Sequence, residues 1–181
     1  DSPPITALFS PTLVAPVVAD VVPIADQITD GPSGEWSKFP NGGGPIRMLY
    51  ASAWDTQRNR WLVFGGHPVA WNDLWEFDPT IPAWRQVATS DPKPSARYGA
   101  AAVYDPINDR LVIYGGWTGG NTFGDVWALS LSEDPPTWTQ LNPEGVAPRT
   151  RAYSAAVYDP VNHRMVMFGG AQAQFGSYTF F

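Results

Sequence analysis

The feature that most constrains this chain is a repeat that aligns with itself three times without a gap. Arg47 to Asp55 with Arg60 to Gly66 is the first copy, Arg97 to Asp105 with Arg110 to Gly116 the second, and Arg151 to Asp159 with Arg164 to Gly170 the third. Asp55, Asp105 and Asp159 are spaced by 50 and 54 residues, and the arginines and glycine pairs keep the same spacing. A period of that length, kept in register, points to a repeat architecture rather than to one irregular domain. With 17 Gly and 19 Pro in 181 residues, a helical bundle is excluded, because both residues interrupt helices.

Each copy reads as strands. Ala100 to Tyr104 and Ala155 to Tyr158 pass from small to β-branched and aromatic residues, while Leu111 to Tyr114 and Met165 to Phe168 are short continuous apolar runs. Between them, the stretches from Asp105 to Arg110 and from Asp159 to Arg164 carry strong turn chemistry, which makes each pair a hairpin. The glycine pair ends the second strand, where chain bends or another backbone comes close. A third strand is expected at Asn72–Phe77 and Gly124–Leu129, and a fourth at Ala83–Val87 and Thr137–Leu141. Four strands per repeat of about 50 residues is the content of a propeller blade.

The double Gly, the Asp73-Leu74-Trp75 and Asp125-Val126-Trp127 strands and the later Trp84 and Trp138 resemble the kelch repeat, over residues 35–181. The resemblance implies an all-β fold of four-stranded antiparallel blades arranged as a β-propeller. The Tyr-Asp-Pro turn followed by Arg resembles the bacterial, often secreted, kelch type, which implies an extracellular location. Kelch propellers usually have six or seven blades, and this chain holds about three. Glu35–Phe39 matches a fourth strand without its three predecessors; two full blades follow; the third has two strands, with a further strand expected at Ser177–Phe181. Two explanations stay open. Either the chain is a piece of a longer one, or arcs assemble, the strand around Trp36 completing the unfinished blade of a neighbour in a ring or a filament.

Residues 1–34 contain six Pro and no Lys or Arg, and are read as an extended arm or linker. A sharper reading has the arm add an edge strand to a partner through Thr12–Val14 or Val17–Val18. The chain starts at Asp1 without Met or a signal sequence and is read as a mature or trimmed form.

Chain direction reverses at each strand, so the loops entering each first strand share a face with the loops after the glycine pairs. That face collects Arg47, Arg97, Arg149, Arg151, Tyr98 and Tyr153, together with His67, Trp71 and Trp117 from the variable loops. One reading makes these nine residues a binding site for a protein or glycan, with guanidinium groups as planar bidentate donors and rings as stacking surfaces. Kelch substrate adaptors place Arg and Tyr on such a rim, which supports that reading by resemblance. The plainer reading is that the repeated Arg47, Arg97 and Arg151 brace loops between neighbouring blades. Asp55, Asp105 and Asp159 read as turn and ion-pair residues, and the Trp residues at repeat positions as packing.

Catalysis finds little support. His67 and His163 fall on opposite faces, so no metal site is expected. Absence of Cys excludes disulfides and thiolate sites, including the Cys–Tyr crosslink that galactose oxidase builds on kelch-type blades. Neither a Gly-rich phosphate loop nor a Gly-x-Ser-x-Gly elbow occurs. A net charge of −6 gives no reason to expect nucleic acid. The apolar stretch Leu13 to Ala25 is broken by Pro16, Asp20 and Pro23 and is too short for membrane insertion. The expected function is a non-catalytic binding or scaffold module without cofactor or metal. The alternatives are a structural subunit that assembles by strand completion and a part of a larger carbohydrate-active enzyme.

Overall fold

Each repeat closes its first hairpin with its own aspartate. In the computed structural model, which describes residues 26–28, 36–38, 43–174 and 177–181, Asp55 Oδ1 accepts the Gln57 and Arg58 N–H groups while Oδ2 accepts Arg60 Nε. Asp105 does the same with Ile107, Asn108 and Arg110, and Asp159 with Val161, Asn162 and Arg164. The residue before each closing Arg is left-handed: Asn59, Asp109 and His163 have φ of 51°, 46° and 51°. Asn, Asp and His are among the few side chains that enter this region readily.

The hairpins nucleate blades. A short pair, β1 (Asp26–Ile28) and β2 (Trp36–Lys38), comes first. Then β3 (Ala51–Asp55), β4 (Arg60–Phe64), β5 (Leu74–Asp78) and β6 (Ala83–Val87) form an antiparallel meander in chain order. β7 (Ala101–Asp105), β8 (Arg110–Tyr114), β9 (Val126–Ser130) and β10 (Thr137–Leu141) repeat it. The third repeat supplies β11 (Ala155–Asp159) and β12 (Arg164–Phe168) as a two-stranded sheet. A separate hairpin follows, β13 (Ala171–Gln174) with β14 (Ser177–Phe180). These are kelch-type propeller blades, and all four expected strands of the first two lie where the residues placed them.

Two expectations change. The strand at Ser177–Phe180 forms, but it pairs with β13 and not with β12, so it is not the third strand of its blade. Asp26–Ile28 lies inside the segment expected to be arm and pairs antiparallel with Trp36–Lys38. The sites proposed for edge-strand addition, Thr12–Val14 and Val17–Val18, lie outside the described residues.

The inner strands β3, β7 and β11 approach one another around a cavity of about 330 Å³ lined by Ser52, Ala53, Ala102, Val103 and Ala156. Convergence of three strands leaves room for little more than Cβ atoms, which is why these strands open on Ala and Ser. Farther out the blades stack face to face. Leu62, Phe64 and Leu74 of the first blade meet Tyr104, Leu111, Ile113, Leu129 and Trp138 of the second. The Phe64 and Trp138 rings lie 5.0 Å apart. Across the turn face, Arg58 clamps Asp109 of the next blade at 2.6–2.7 Å and also donates to the Leu131 carbonyl.

Leu111 is fully buried in this interface. Its replacement by Ala is expected to cost about 2–5 kcal/mol, whereas Ile107→Ala, on the exposed turn, changes stability little. Urea unfolding of the two variants measures the difference.

Candidate functional site

The loop face is organised by the arginine that enters each blade. Arg97 is held by its main chain to the preceding blade: its N–H donates to the Trp71 carbonyl at 2.8 Å, and its carbonyl accepts Gly66 N–H at 3.0 Å. Its side chain reaches into its own blade. Nη1 donates to the Gly115 carbonyl at 2.9 Å and to Asp125 Oδ1 at 2.6 Å, and Nη2 to Asp125 Oδ2 at 2.9 Å. Nε donates to the Ser95 carbonyl, the guanidinium lies 4.0 Å from the Phe123 ring centroid, and Trp127 Nε1 donates to the same Asp125 carboxylate. Arg47 repeats the pattern with Gly65, Asp73 and Trp71, and Trp75 Nε1 donates to Asp73.

Arg97 is 1% exposed, so it offers no donor to a ligand. That corrects the rim reading for Arg97 and, by the same geometry, for Arg47: both are braces. Arg151 shares the main-chain half of the arrangement, through the Phe123 carbonyl and Gly116 N–H. Among the described residues its side chain meets the Arg149 and Gly169 carbonyls and the Phe181 ring. The glycine pairs make the close approach possible. Gly65 and Gly115 have φ of 66° and 67°, and a Cβ there would stand 2.4 and 2.3 Å from the carbonyls of Arg97 and Arg151.

With those arginines consumed, the face is left to rings and aliphatic side chains. His67 and Tyr98 stand edge to face at 5.0 Å, Tyr98 and Trp117 at 5.5 Å, and Trp117 and Tyr178 at 6.2 Å. Phe180 stacks on Tyr178 at 6.3 Å. Tyr153 joins this row; partial burial, reinforced by the Tyr98 and Tyr178 hydroxyls, pushes its own hydroxyl up to about 12. Around the row, Ile46, Met48, Leu49, Val69 and Trp71 are exposed. His67 Nδ1 and Trp117 Nε1 are buried polar atoms without a hydrogen-bond partner among the described residues.

The backbone beneath is hydrogen-bonded from loop to loop and locally strained. Leu49, Gly99 and Tyr153 occupy equivalent positions and share φ of 55°, 67° and 63°. Gly99 N–H donates to the Leu49 carbonyl at 2.6 Å and Tyr153 N–H to the Gly99 carbonyl at 2.7 Å, so the three loops are chained. A left-handed Leu or Tyr costs on the order of 1 kcal/mol and persists only where its surroundings fix it. Here the conformation turns Leu49 and Tyr153 outward.

The β13–β14 hairpin is the lengthened rim loop of the third repeat. Phe123 N–H donates to the Gly116 carbonyl, and Phe181 N–H donates to the Gly170 carbonyl. Arg97 lies over Phe123, and Arg151 over Phe181. Phe181 is therefore the counterpart of Phe123 and Trp71, and the span from glycine pair to aromatic grows from five to seven to eleven residues. This signal was present in the sequence but hidden by the changing loop length. Tyr178 and Phe180, carried on that loop, are the site residues that sequence reasoning missed, with Met48, Leu49 and Val69.

Arg149 is exposed and makes no ion pair among the described residues; its guanidinium lies 5.8 Å from the Phe181 ring centroid. His163 sits on the turn face, 3.4 Å from the Tyr158 hydroxyl, and is not brought to His67. Among the described residues no three His, Asp or Glu side chains cluster as metal ligands.

The KLHDC2/KLHL20/DRC7 Kelch-repeats domain family matches residues 28–179, and the chain belongs to this family of kelch-repeat domains. Over 121 residues it is 33% identical to the dynein alpha chain of the flagellar outer arm of Chlamydomonas reinhardtii, covering 61% of this chain and 2% of that one. Dynein regulatory complex subunit 7 of the same alga is 35% identical over 114 residues, 60% of this chain and 10% of the relative. Putative adagio-like protein 2 of Oryza sativa subsp. japonica is 27% identical over 162 residues, 80% of this chain and 25% of the relative. The chain thus spans a quarter or less of the length of these three eukaryotic proteins.

The brace makes a prediction about acid. Burial alone would raise the Asp125 carboxyl, but the hydrogen bonds and charge of Arg97 and the Trp127 indole outweigh it and hold the group below the ordinary aspartate value. Asp73 follows the same balance with Arg47 and Trp75. A depressed folded value contributes stability that is complete above the unfolded value and is lost as pH falls through the folded one. Stability is therefore expected to hold from pH 7 to about 4 and to fall below it. Asp125→Asn, which leaves Arg97 buried without its anion, is expected to lose about 3 kcal/mol at pH 7 and to show a shallower acid slope. Urea unfolding at pH 7, 5, 4 and 3 checks both.

Proposed function

We propose that this chain is a non-catalytic protein-interaction module that engages its partner through the aromatic rim. The observation that carries this reading is the row of His67, Trp117 and Tyr178, backed by Tyr98, which is itself buried and supports the rings rather than facing a partner, and set among exposed Met48, Leu49, Val69, Trp71 and Tyr153. Rings on loops with fixed backbones bury much apolar area with little loss of side-chain freedom, and such anchors dominate protein interfaces. Aliphatic Ile46, Met48 and Val69 beside the rings favour a protein over a glycan, which stacks on rings but gains little from exposed aliphatic chains. Arg149 suits an acidic side chain at the edge of the partner surface. Membership in a kelch-repeat family supports the class of function, and one relative is by name a subunit of a regulatory complex. An extracellular, bacterial setting is carried by the Tyr-Asp-Pro turn variant alone; the three relatives are eukaryotic.

A photo-crosslinking residue placed at Met48 is expected to yield a discrete protein adduct, and one at Ile107, on the turn face, none. Tyr178→Ala, at an exposed ring outside the arginine braces, is expected to weaken the captured complex about 30-fold, the loss of one interface anchor, with unfolding unchanged. Equal adducts from both faces, or unchanged affinity in Tyr178→Ala, overturns the reading.

A further inference from the structure

We propose that the aromatic rim is occupied in cis by this chain's own segment 13–25, which an incoming partner has to displace. The proposal rests on the reading of the rim as a protein-binding face and names the resident occupant of that face. Residues 13–25 lie outside the described residues; their composition, the hairpin that follows them and the rim itself carry the inference.

The first observation is chemical. From Leu13 to Ala25 every residue except Asp20 is Leu, Val, Ile, Ala or Pro. A stretch of that composition is driven out of water onto apolar surface. Pro16 and Pro23 bar a regular helix, and neither can donate to a strand ladder. The segment is therefore suited to lie extended against side chains rather than to build a helix or sheet of its own.

The second is the matching surface. Ile46, Met48, Leu49 and Val69 leave aliphatic groups exposed on the rim, and Tyr178 and Phe180 leave rings exposed beside them. Branched aliphatic side chains and proline rings pack on such faces without polar partners. Charge agrees as well. Asp20 is the one ionised side chain of the segment, and Arg149 at the edge of the rim is exposed and makes no ion pair among the described residues. One acid and one guanidinium between otherwise uncharged surfaces favour this pairing and set its orientation.

The third is position. Asp26 pairs with Lys38 in the β1–β2 hairpin, so residue 25 leaves the hairpin beside the strand end that leads on to the rim. Lys38 is five residues before Gly43, a span of at most about 17 Å. Beyond Gly43 the chain enters the rim directly: Gly44 lies against the Trp84 ring, and Met48 exchanges both main-chain hydrogen bonds with His67. Thirteen extended residues reach up to about 43 Å, more than the row from His67 to Tyr178, whose neighbouring rings are 5.0 to 6.2 Å apart. A tether this short holds the segment at a roughly millimolar effective concentration over its own rim. At micromolar protein the intramolecular contact therefore prevails over the same contact with a second copy.

The chain has three Met and no Cys, which supplies the probe. Met48 stands on the rim, and Met165 and Met167 stand on β12. A nitroxide attached through Ala19→Cys, in the full chain carrying isotope-labelled methionine methyls, is expected to broaden the Met48 signal beyond detection while Met165 and Met167 persist. Reduction with ascorbate should restore it. Val21→Asp with Val22→Asp in the same chain places two anions where apolar groups meet the rings, alters no described residue, and should also restore the Met48 signal. An unbroadened Met48 signal overturns the proposal. So does equal loss at all three methionines, or broadening that survives the two aspartates. Broadening of Met48 by a nitroxide carried on a second copy overturns it too, because the contact is then between chains.

No partner is present in that experiment, so its failure leaves the rim reading to stand or fall on the Met48 crosslink and on Tyr178→Ala. With a partner captured at the rim, Val21→Asp with Val22→Asp is expected to tighten its binding about tenfold, the factor for a face left open about one-tenth of the time. Unchanged affinity overturns the displacement.

Discussion

The rest of the structure depends on a guanidinium that is anchored twice. The main chain of Arg97 belongs to the first blade, through Trp71 and Gly66, and its side chain belongs to the second, through Gly115 and Asp125. Each blade is thereby fixed to its neighbour at the very residue where its own sheet begins. Burying a cation is expensive, by several kcal/mol even after relaxation. The burial is tolerated because every side of the group is met: two carboxylate oxygens, two carbonyls and a ring face. Lysine, a single charged point on a flexible stem, could not satisfy that set at once. The recurrence of Arg at 47, 97 and 151 therefore follows from packing between blades.

This division of labour shapes the surface. Because the repeated cations and their carboxylates are turned inward, the rim carries little charge and is defined by what does not repeat. Loop length after the glycine pair is the variable, and it decides which rings those loops bring to the face: His67 and Trp71 from the shortest loop, Trp117 from the next, Tyr178 and Phe180 from the β13–β14 hairpin. The left-handed residues beneath work in the same direction. Gly99 meets that backbone demand without strain, while Leu49 and Tyr153 meet it with side chains that project outward. A conformation required for interblade hydrogen bonding is also the one that presents apolar groups to a partner.

The fold was legible because each local rule in the repeats agreed with the others. The Asp-to-Arg turn, the apolar second strand, the glycine pair and the Asp-aliphatic-Trp strand each recur in register, and β3–β10 fall where those rules put them. What was less legible depended on exceptions to the register. Ser177–Phe180 has strand composition, but composition cannot say which strand it pairs with; Phe181 could, because its relation to Gly170 copies that of Phe123 to Gly116. The site was half legible for the same reason. Arg and Tyr at a loop face satisfy a brace and a binding site equally well on paper, and only the positions of Asp73 and Asp125 separate the two. Met48, Leu49 and Val69 gave no sign, since an apolar residue in a loop acquires meaning only from its neighbours in space.

The third repeat shows how much of a blade a single strand supports. Its hairpin, its arginine anchor and its glycine pair are built as in the others, so the local code is intact. Yet Met165 and Met167 stay partly open, and Val157, Val166 and Phe168 are exposed. In the first two blades the strand beginning at Asp73 or Asp125 does three things at once. It neutralises the buried guanidinium, accepts the glycine N–H, and lays an indole over the second strand of its sheet. These contributions are coupled, because the carboxylate that holds the arginine also orients the indole. A strand that supplied the apolar side chains without the acid would leave the arginine unneutralised, and one that supplied the acid alone would leave the second strand of its sheet uncovered. Asp-aliphatic-Trp is the shortest sequence that meets all three demands from one strand, and this is the physical reason it accompanies the arginine and the glycine pair in both completed blades.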